Sequence, residues 1–259
     1  MGITMNYQTL RISHQDIVQR IQIYRPEANN SINSQLTIEL LSALQAAEAE
    51  EVVKVIILEG LPDVFCTGMD FGEVAIAQQQ VEPTERYHAY YNILKQMSQS
   101  SKVILSVVRG KVQAGGVGLV AASDLVIADE TANFVLSELL FGLLPACVLP
   151  FLIRRIGFQK AYRLALTTQA ISASEADKWG LIDECGSNTN QLISKYIRRL
   201  KYLPSSGVKD LKNYINQLWI IQSETQDLAV NEISRLITEP TIQEKIKRFQ
   251  QEGLFPWQT

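Results

Sequence analysis

Histidine and cysteine are scarce in this chain. Its 259 residues hold two histidines, His14 and His88, and three cysteines, Cys66, Cys147 and Cys185. A zinc site or a Ser-His-Asp triad is poorly supplied by that inventory. The odd number and wide spacing of the cysteines argue against a disulfide framework and offer no closely spaced metal-ligand pair. Positive charge is not in excess. Lys and Arg number 24 against 27 Asp and Glu, a net charge of −3, which argues against broad nucleic-acid binding. No apolar run reaches the length of a membrane span. The opening MGITMNYQTLRISHQ lacks a basic segment followed by an apolar core, so it does not read as a secretory signal. Met5-Asn6 spoils the myristoylation pattern that Met1-Gly2 would begin. The expectation is a cytoplasmic protein with no metal, no cofactor, no nucleic acid and no membrane contact. What is plentiful is apolar side chain, 46% of the residues, enough for one large domain or a domain with an appended helical part.

The chain opens with alternating polar and apolar residues over Tyr7–Val18 and again over Ile17–Tyr24, the period of half-buried strands. Arg25-Pro26-Glu27-Ala28-Asn29-Asn30-Ser31 is turn chemistry. Asn33 or Ser34 is placed to cap a helix running to Glu50, with Leu36, Leu40, Leu41, Leu44 and Ala47 on one face. Val52–Glu59, Val103–Val108 and Leu125–Ala128 are short, apolar and β-branched, as strands buried on both faces are. Helical segments separate them, and the order β, α, β, α, β predicts a mostly parallel α/β core. From Pro150 the pattern is helical. Phe151–Leu166 is interrupted at Gly157, Ser174–Trp179 is capped by Ser172 or Ser174, and Ser187–Gln251 is broken at Pro204, Gly207 and Pro240. The polar stretch through Gln78-Gln79-Gln80 to Pro83 reads as a mobile loop.

Two segments place glycine where backbone must be exposed. One is Phe65-Cys66-Thr67-Gly68-Met69-Asp70-Phe71. The other is Gly110-Lys111-Val112-Gln113-Ala114-Gly115-Gly116-Val117-Gly118. Each leads from a buried strand into a helix, where the first N–H groups point outward without partners and can bind an oxyanion with help from the helix dipole. One such loop by itself is explained by backbone freedom or close packing; two of the same kind point further. Glu138 is the only charge from Phe134 through Leu152. Lost hydration would raise its pKa toward a useful range; the competing reading is a loop glutamate that reaches solvent or caps a helix end.

In this order the pieces resemble the crotonase superfamily, the enoyl-CoA hydratases and isomerases. The likeness spans most of the chain, from Arg25-Pro26 and Asn33, through Val55-Ile56-Ile57-Leu58-Glu59-Gly60, to Ile171-Ser172-Ala173-Ser174-Glu175-Ala176 and Gly180-Leu181-Ile182-Asp183. The resemblance implies a crotonase-like ββα spiral core over residues 1–190 and a C-terminal helical trimerisation region over residues 191–259, assembled as a homotrimer or a dimer of trimers. It also implies that the oxyanion N–H groups are those of Met69 and Gly115, and that Glu138 matches the second of the two carboxylates of the hydratases. The first would fall at Gly118, which cannot activate water and would leave room near C3 of a bound acyl thioester.

A closer likeness lies in Leu58-Glu59-Gly60-Leu61-Pro62-Asp63-Val64-Phe65-Cys66, in Ala114-Gly115-Gly116-Val117-Gly118-Leu119-Val120-Ala121-Ala122-Ser123-Asp124, and in Ser137-Glu138-Leu139-Leu140-Phe141-Gly142 through Pro145-Ala146-Cys147. These resemble the dehydratases of polyketide β-branching cassettes. That resemblance implies dehydration of a 3-hydroxy-3-methylglutaryl group on an acyl carrier protein to a 3-methylglutaconyl thioester, with Glu138 as base and, by syn elimination, as acid. A water or a side chain of the helix around Arg86-Tyr87-His88-Ala89-Tyr90-Tyr91 is the alternative acid, with His88, Tyr91 and Gly118 as candidate pocket residues. The competing functions are an acyl-CoA hydratase or enoyl-CoA isomerase, whose CoA shares the phosphopantetheine arm, and a non-catalytic scaffold or RNA-binding relative, which predicts a lost Glu138 or a strongly basic surface. Cys66 and Cys147 read as fillers of small apolar spaces, Asp70 as a helix cap, and Trp219 and Phe255-Pro256-Trp257 as packing aromatics rather than ligand contacts.

Overall fold

The three β-branched runs pair side by side and in parallel. The computed structural model describes residues 7–73, 83–218, 222–253 and 255. In it β3 (Val55–Glu59), β5 (Val103–Val108) and β7 (Leu125–Ala128) form the centre of a six-stranded sheet. The hairpin of β1 (Leu10–Gln15) and β2 (Val18–Ile23) lies on one edge and β10 (Glu184–Cys185) on the other. The hairpin turns at Asp16, with φ +51°, a conformation that Asp tolerates better than most residues. The central runs are continuously apolar because each face of the sheet is covered. Ile56, Leu58 and Ile104 enter the main core. Val55, Ile57, Val103 and Leu105 face the other way, against Ile193 of the helix Thr189–Leu200.

Each central strand runs on into a three-residue strand of a second sheet: β4 (Val64–Cys66) after β3, β6 (Lys111–Gln113) after β5, and β8 (Asn133–Val135) after β7. β9 (Ile171–Ser172) pairs with β8 antiparallel and completes the order β4-β6-β8-β9. A helix follows each pair. Pro83–Gln99 comes after β4, Gly115–Ala122 after β6 and Glu138–Phe141 after β8. Strand, strand and helix therefore repeat three times, the spiral that the resemblance implies. The short strands escape a reading by periodicity because three residues hold barely one period of alternation.

The capping chemistry is local and largely as expected. Asn33 caps the helix Ser34–Ala49 by accepting from Leu36 N–H at 2.8 Å, and Ser172 caps Ala173–Trp179. Gly157 separates Leu149–Ile156 from Phe158–Thr167. One expected break is absent. Gly207 lies inside the helix Ser205–Gln217, and Pro204 alone forms the boundary; a glycine in the first turn adds little strain where the backbone bonds are still unmade. Gln78-Gln79-Gln80 and Trp219 lie outside the described residues, while Pro83 begins a helix.

The C-terminal helices are not a separate layer. Ser223–Ile237 packs along Pro83–Gln99 of the same chain, and its Ala229, Val230, Ile233, Leu236 and Ile237 join the main core. Among the described residues no helix is long and apolar enough to cross a membrane.

One buried side chain ties the first turn to both sheets. Asn30, fully buried at φ +54°, accepts from Arg25 N–H at 2.8 Å. Its amide nitrogen lies within hydrogen-bond distance of the carbonyls of Ile23, Val64 and Phe65. An Asn30→Ala substitution strands these groups away from water and should lower stability by about 2–4 kcal/mol. The check is a lower urea midpoint with an unchanged slope; a midpoint like that of the parent would remove Asn30 from this role.

Candidate active site

The first glycine turn leaves β4 at Cys66 and is clamped by a backbone bridge to Ile32. Ile32 N–H donates to Gly68 O at 2.7 Å and Asp70 N–H donates to Ile32 O at 3.0 Å. That pattern leaves the N–H of Met69, between them, with no backbone acceptor among the described residues. Asp70 anchors the turn. Its Oδ2 accepts from Arg25 Nη2 and Ser31 Oγ, each at 3.0 Å, and its Oδ1 accepts from Glu73 N–H at 3.3 Å. Burial alone would raise this carboxyl, but Arg25, Ser31 and the Glu73 N–H together hold it below its ordinary value. The capping role expected of Asp70 is present, and an ion pair accompanies it.

The second turn leaves β6 at Gln113. Ala114 takes φ +47° and ψ −117°, an unfavourable backbone conformation for an L-residue, and its N–H donates to Val135 O at 3.0 Å. Gly115 then opens the helix Gly115–Ala122, so its N–H has no partner within the helix. Gly116 is required by close approach. A Cβ there would stand 2.4 Å from Cys66 O, at the end of the neighbouring strand. The two turns touch, since a Cβ on Gly68 would lie 2.7 Å from Ala114 Cβ and 3.1 Å from Gly115 N. Met69 and Gly115, far apart in sequence, thus present free N–H groups from adjoining turns to one cavity of about 630 Å³.

Glu138 lines the same cavity. It is the first residue of the one-turn helix Glu138–Phe141, and its Oε2 is buried with no hydrogen-bond partner. Burial pushes its pKa up from the ordinary 4.5 to about 7, against the opposing pull of the Glu138 and Ser137 backbone. The carboxyl can therefore exchange a proton near neutrality. The same cavity has an aromatic wall. Phe71 meets Phe141 edge-on at 5.3 Å, Phe141 meets Phe249 at 5.4 Å, and Phe249 meets Phe255 at 5.0 Å. Such a wall excludes water and keeps the local dielectric low.

Two tyrosines of Pro83–Gln99 complete the lining, and each touches a residue of one of the two glycine turns. Tyr87 Oη donates to Met69 Sδ at 3.5 Å, and Tyr90 Oη donates to Gly115 O at 2.6 Å. Burial raises both phenols above the ordinary value, with Cys147, Cys66 and Glu138 adding to the effect at Tyr90.

Three expected pocket residues are not part of the lining. His88 is half-buried on another side of the helix. Tyr91 is fully buried behind the cavity, edge-on to Phe151 at 5.3 Å. His88 stands off the stripe that Tyr87 and Tyr90 share at i and i+3, while Tyr91 is taken up by its packing against Phe151. Gly118 is buried too, and the space it vacates is not open to substrate. A Cβ there would meet Tyr90 Oη at 2.2 Å and Val148 Cγ2 at 3.1 Å. The expectation of room near C3 at that position is therefore corrected. Phe255 packs against Phe249 and the main core, as expected of it, and also lines the cavity; Pro256 and Trp257 lie outside the described residues. Cys66 and Cys147 are buried thiols pushed up to about 12 by burial, which makes them poor nucleophiles.

Comparison with known proteins places the chain among its relatives. The family described as Enoyl-CoA hydratase/isomerase matches residues 13–258. The bacillaene synthase dehydratase PksH of Bacillus subtilis is 42% identical over 255 residues, covering 98% of both chains. The crystal structure of PksH, described as a polyketide biosynthesis enoyl-CoA hydratase, superposes with a TM-score of 0.91 over 97% of this chain and 100% of that one. The 1,2-epoxyphenylacetyl-CoA isomerase of Escherichia coli is 28% identical, over 81% of this chain and 82% of its own. A crystal structure of an enoyl-CoA hydratase/isomerase from Marinobacter aquaeolei has 28% identity and a TM-score of 0.77, over 95% of this chain and 97% of that one. With that match over residues 13–258 and 42% identity to PksH across nearly the whole length, the chain belongs to the enoyl-CoA hydratase/isomerase, or crotonase, family.

Proposed function

We propose that this protein dehydrates a 3-hydroxy-3-methylglutaryl thioester, carried on the phosphopantetheine arm of an acyl carrier protein, to the 3-methylglutaconyl thioester in polyketide β-branching. The observation that carries the reading is Glu138, whose buried Oε2 alone among the described acids of the lining has no hydrogen-bond partner, set against two free N–H groups. Asp70, the other acid of the lining, is already bound to Arg25 and Ser31. The 42% identity to a polyketide dehydratase supports the same choice.

The thioester oxygen sits between Met69 N–H and Gly115 N–H, where each preorganised donor contributes about 2.7–4 kcal/mol to the enolate. Glu138 takes the C2 proton, and the C2–H electron pair becomes enolate. The pair then forms the C2–C3 double bond as the C3–O bond breaks, and Glu138 returns its proton to the departing oxygen, so water leaves and the base is regenerated. Tyr90 is not the acid in this scheme, because its hydrogen is held by Gly115 O and burial makes it a weak acid. Among the described lining residues Lys111, exposed at the cavity, is the only cation. It is the partner available to a distal carboxylate or to the phosphate of the arm. The working protein is a cytoplasmic homotrimer or dimer of trimers, with residues 191–259 contributing to assembly.

Replacing Glu138 by Gln should lower turnover by about 10² or more, and near-parental turnover would end the assignment. The parent's rate should climb with pH and inflect near the raised pKa of about 7. The same group predicts a stability signature. Between its ordinary 4.5 and about 7 the folded protein keeps a proton that the unfolded chain has released. Its contribution to stability therefore falls as pH rises through that window and levels off above it. Glu138→Gln should then melt higher than the parent at pH 8, and the gap should close toward pH 4.5. Equal melting temperatures at pH 8 would mean that the carboxylate carries no burial cost.

Substrate class is tested by offering the purified protein 3-hydroxy-3-methylglutaryl-carrier protein and crotonyl-CoA in parallel and following water loss or gain by mass. Dehydration of the branched thioester with poor hydration of crotonyl-CoA is expected. Efficient hydration with the branched thioester unchanged would assign the protein to acyl-CoA hydration.

A further inference from the structure

We propose that Tyr90 is a positioning residue for the second oxyanion turn, and that Gly118 is without a side chain because the Tyr90 hydroxyl occupies that place. The proposal deepens the enolate chemistry above and rests on it.

The turn that presents Gly115 N–H has little of its own to hold it. Gly115, Gly116 and Gly118 are three of the first four residues of its helix, and Ala114 before them is strained. Glycine backbone is permissive, whereas an oxyanion donor must be held within a few tenths of an ångström of its working position. Tyr90 supplies the missing restraint from a neighbouring element. Its hydroxyl donates to Gly115 O at 2.6 Å. Its ring lies over the same residue, since a Cβ on Gly115 would stand 3.3 Å from Oη and 3.4 Å from Cζ. Carbonyl and Cα of the donor residue are thus both held by one rigid side chain, itself buried in the core.

The hydroxyl can reach Gly115 O only because position 118 is empty of side chain. Oη is 2.2 Å from where a Cβ would be, and Val148 Cγ2 and Leu94 Cδ1, at 3.1 and 3.3 Å, leave no detour. Any side chain at 118 must push the phenol off the turn. Burial and the nearby acidic groups keep the phenol protonated, so the donor persists across the working pH range. A carboxylate at 118 and a tyrosine tie at 90 are mutually exclusive in this packing, and restoring Glu at 118 would dismantle the oxyanion turn rather than add a water-activating base.

The test uses the full chain with Tyr90→Phe, Gly118→Ala and the double variant. The enolate is read with acetoacetyl-CoA, whose enolate absorbs in the near ultraviolet, titrated on the protein. Tyr90→Phe should fold and melt close to the parent. It should raise the apparent pKa of bound acetoacetyl-CoA by about one unit, a tenfold loss of enolate. It should also lower kcat on the carrier-bound thioester about tenfold or more with KM little changed. Gly118→Ala should lower both the melting temperature and the enolate fraction. Adding Tyr90→Phe to it should restore the melting temperature but not the enolate, because the clash is relieved and the tie is still missing. Equal enolate fractions in the parent and Tyr90→Phe, including none in either, would overturn the proposal. So would a Gly118→Ala variant that melts like the parent, or a Tyr90→Phe chain that does not fold. A parent that enolises acetoacetyl-CoA but leaves the 3-hydroxy-3-methylglutaryl thioester intact would defeat the dehydratase reading and leave the role of Tyr90 standing.

Discussion

Parallel pairing of β3, β5 and β7 is the constraint from which the rest of the molecule follows. Strands that run the same way deliver their ends to the same edge, and the register Val55↔Val103 and Leu105↔Leu125 keeps those ends level. Each strand then continues into the second sheet, so β4, β6 and β8 also run in parallel and end together. Two glycine turns and the Glu138 helix emerge there as neighbours. The meeting of the two turns with Glu138 is thus a consequence of strand direction, and burial of both faces of the central strands supplies the free energy that enforces it.

Within that frame the site depends on contrast. The first turn is wired with satisfied polar groups, the Asp70–Arg25–Ser31 cluster and the Ile32 bridge, and the second is tied by Tyr90. The cavity that they face is apolar and aromatic. A satisfied network is rigid, which suits N–H groups that must point at a developing charge. An apolar wall withholds water from Glu138, which lifts its pKa toward neutrality. Neither environment would serve the other purpose.

Position 118 illustrates how an absence can be misread. In the linear sequence a glycine where related hydratases carry a carboxylate looks like vacated space. In the folded chain the space is taken by a phenol from another helix, and the glycine marks close packing. Both descriptions agree that no second carboxylate stands there; they differ on whether the substrate gains room.

The sequence by itself determined the features whose physics is local. Continuous β-branched runs marked the three central strands, side-chain oxygens at Asn33 or Ser34 and at Ser172 or Ser174 marked helix starts, and a lone charge in an apolar stretch marked Glu138. The turn glycines could be seen as well, because exposed backbone at a strand–helix junction is a local property. Tertiary structure alone decided which neighbours those residues meet. The face of Pro83–Gln99 that looks into the cavity was a matter of helix phase against the rest of the fold, so Tyr87 and Tyr90 replaced His88 and Tyr91. The aromatic wall brings Phe71 and Phe141 to Phe249 and Phe255, residues more than a hundred positions further on. No local pattern of charge or periodicity encodes a contact at that separation, because it depends on how the spiral and the C-terminal helices close on each other.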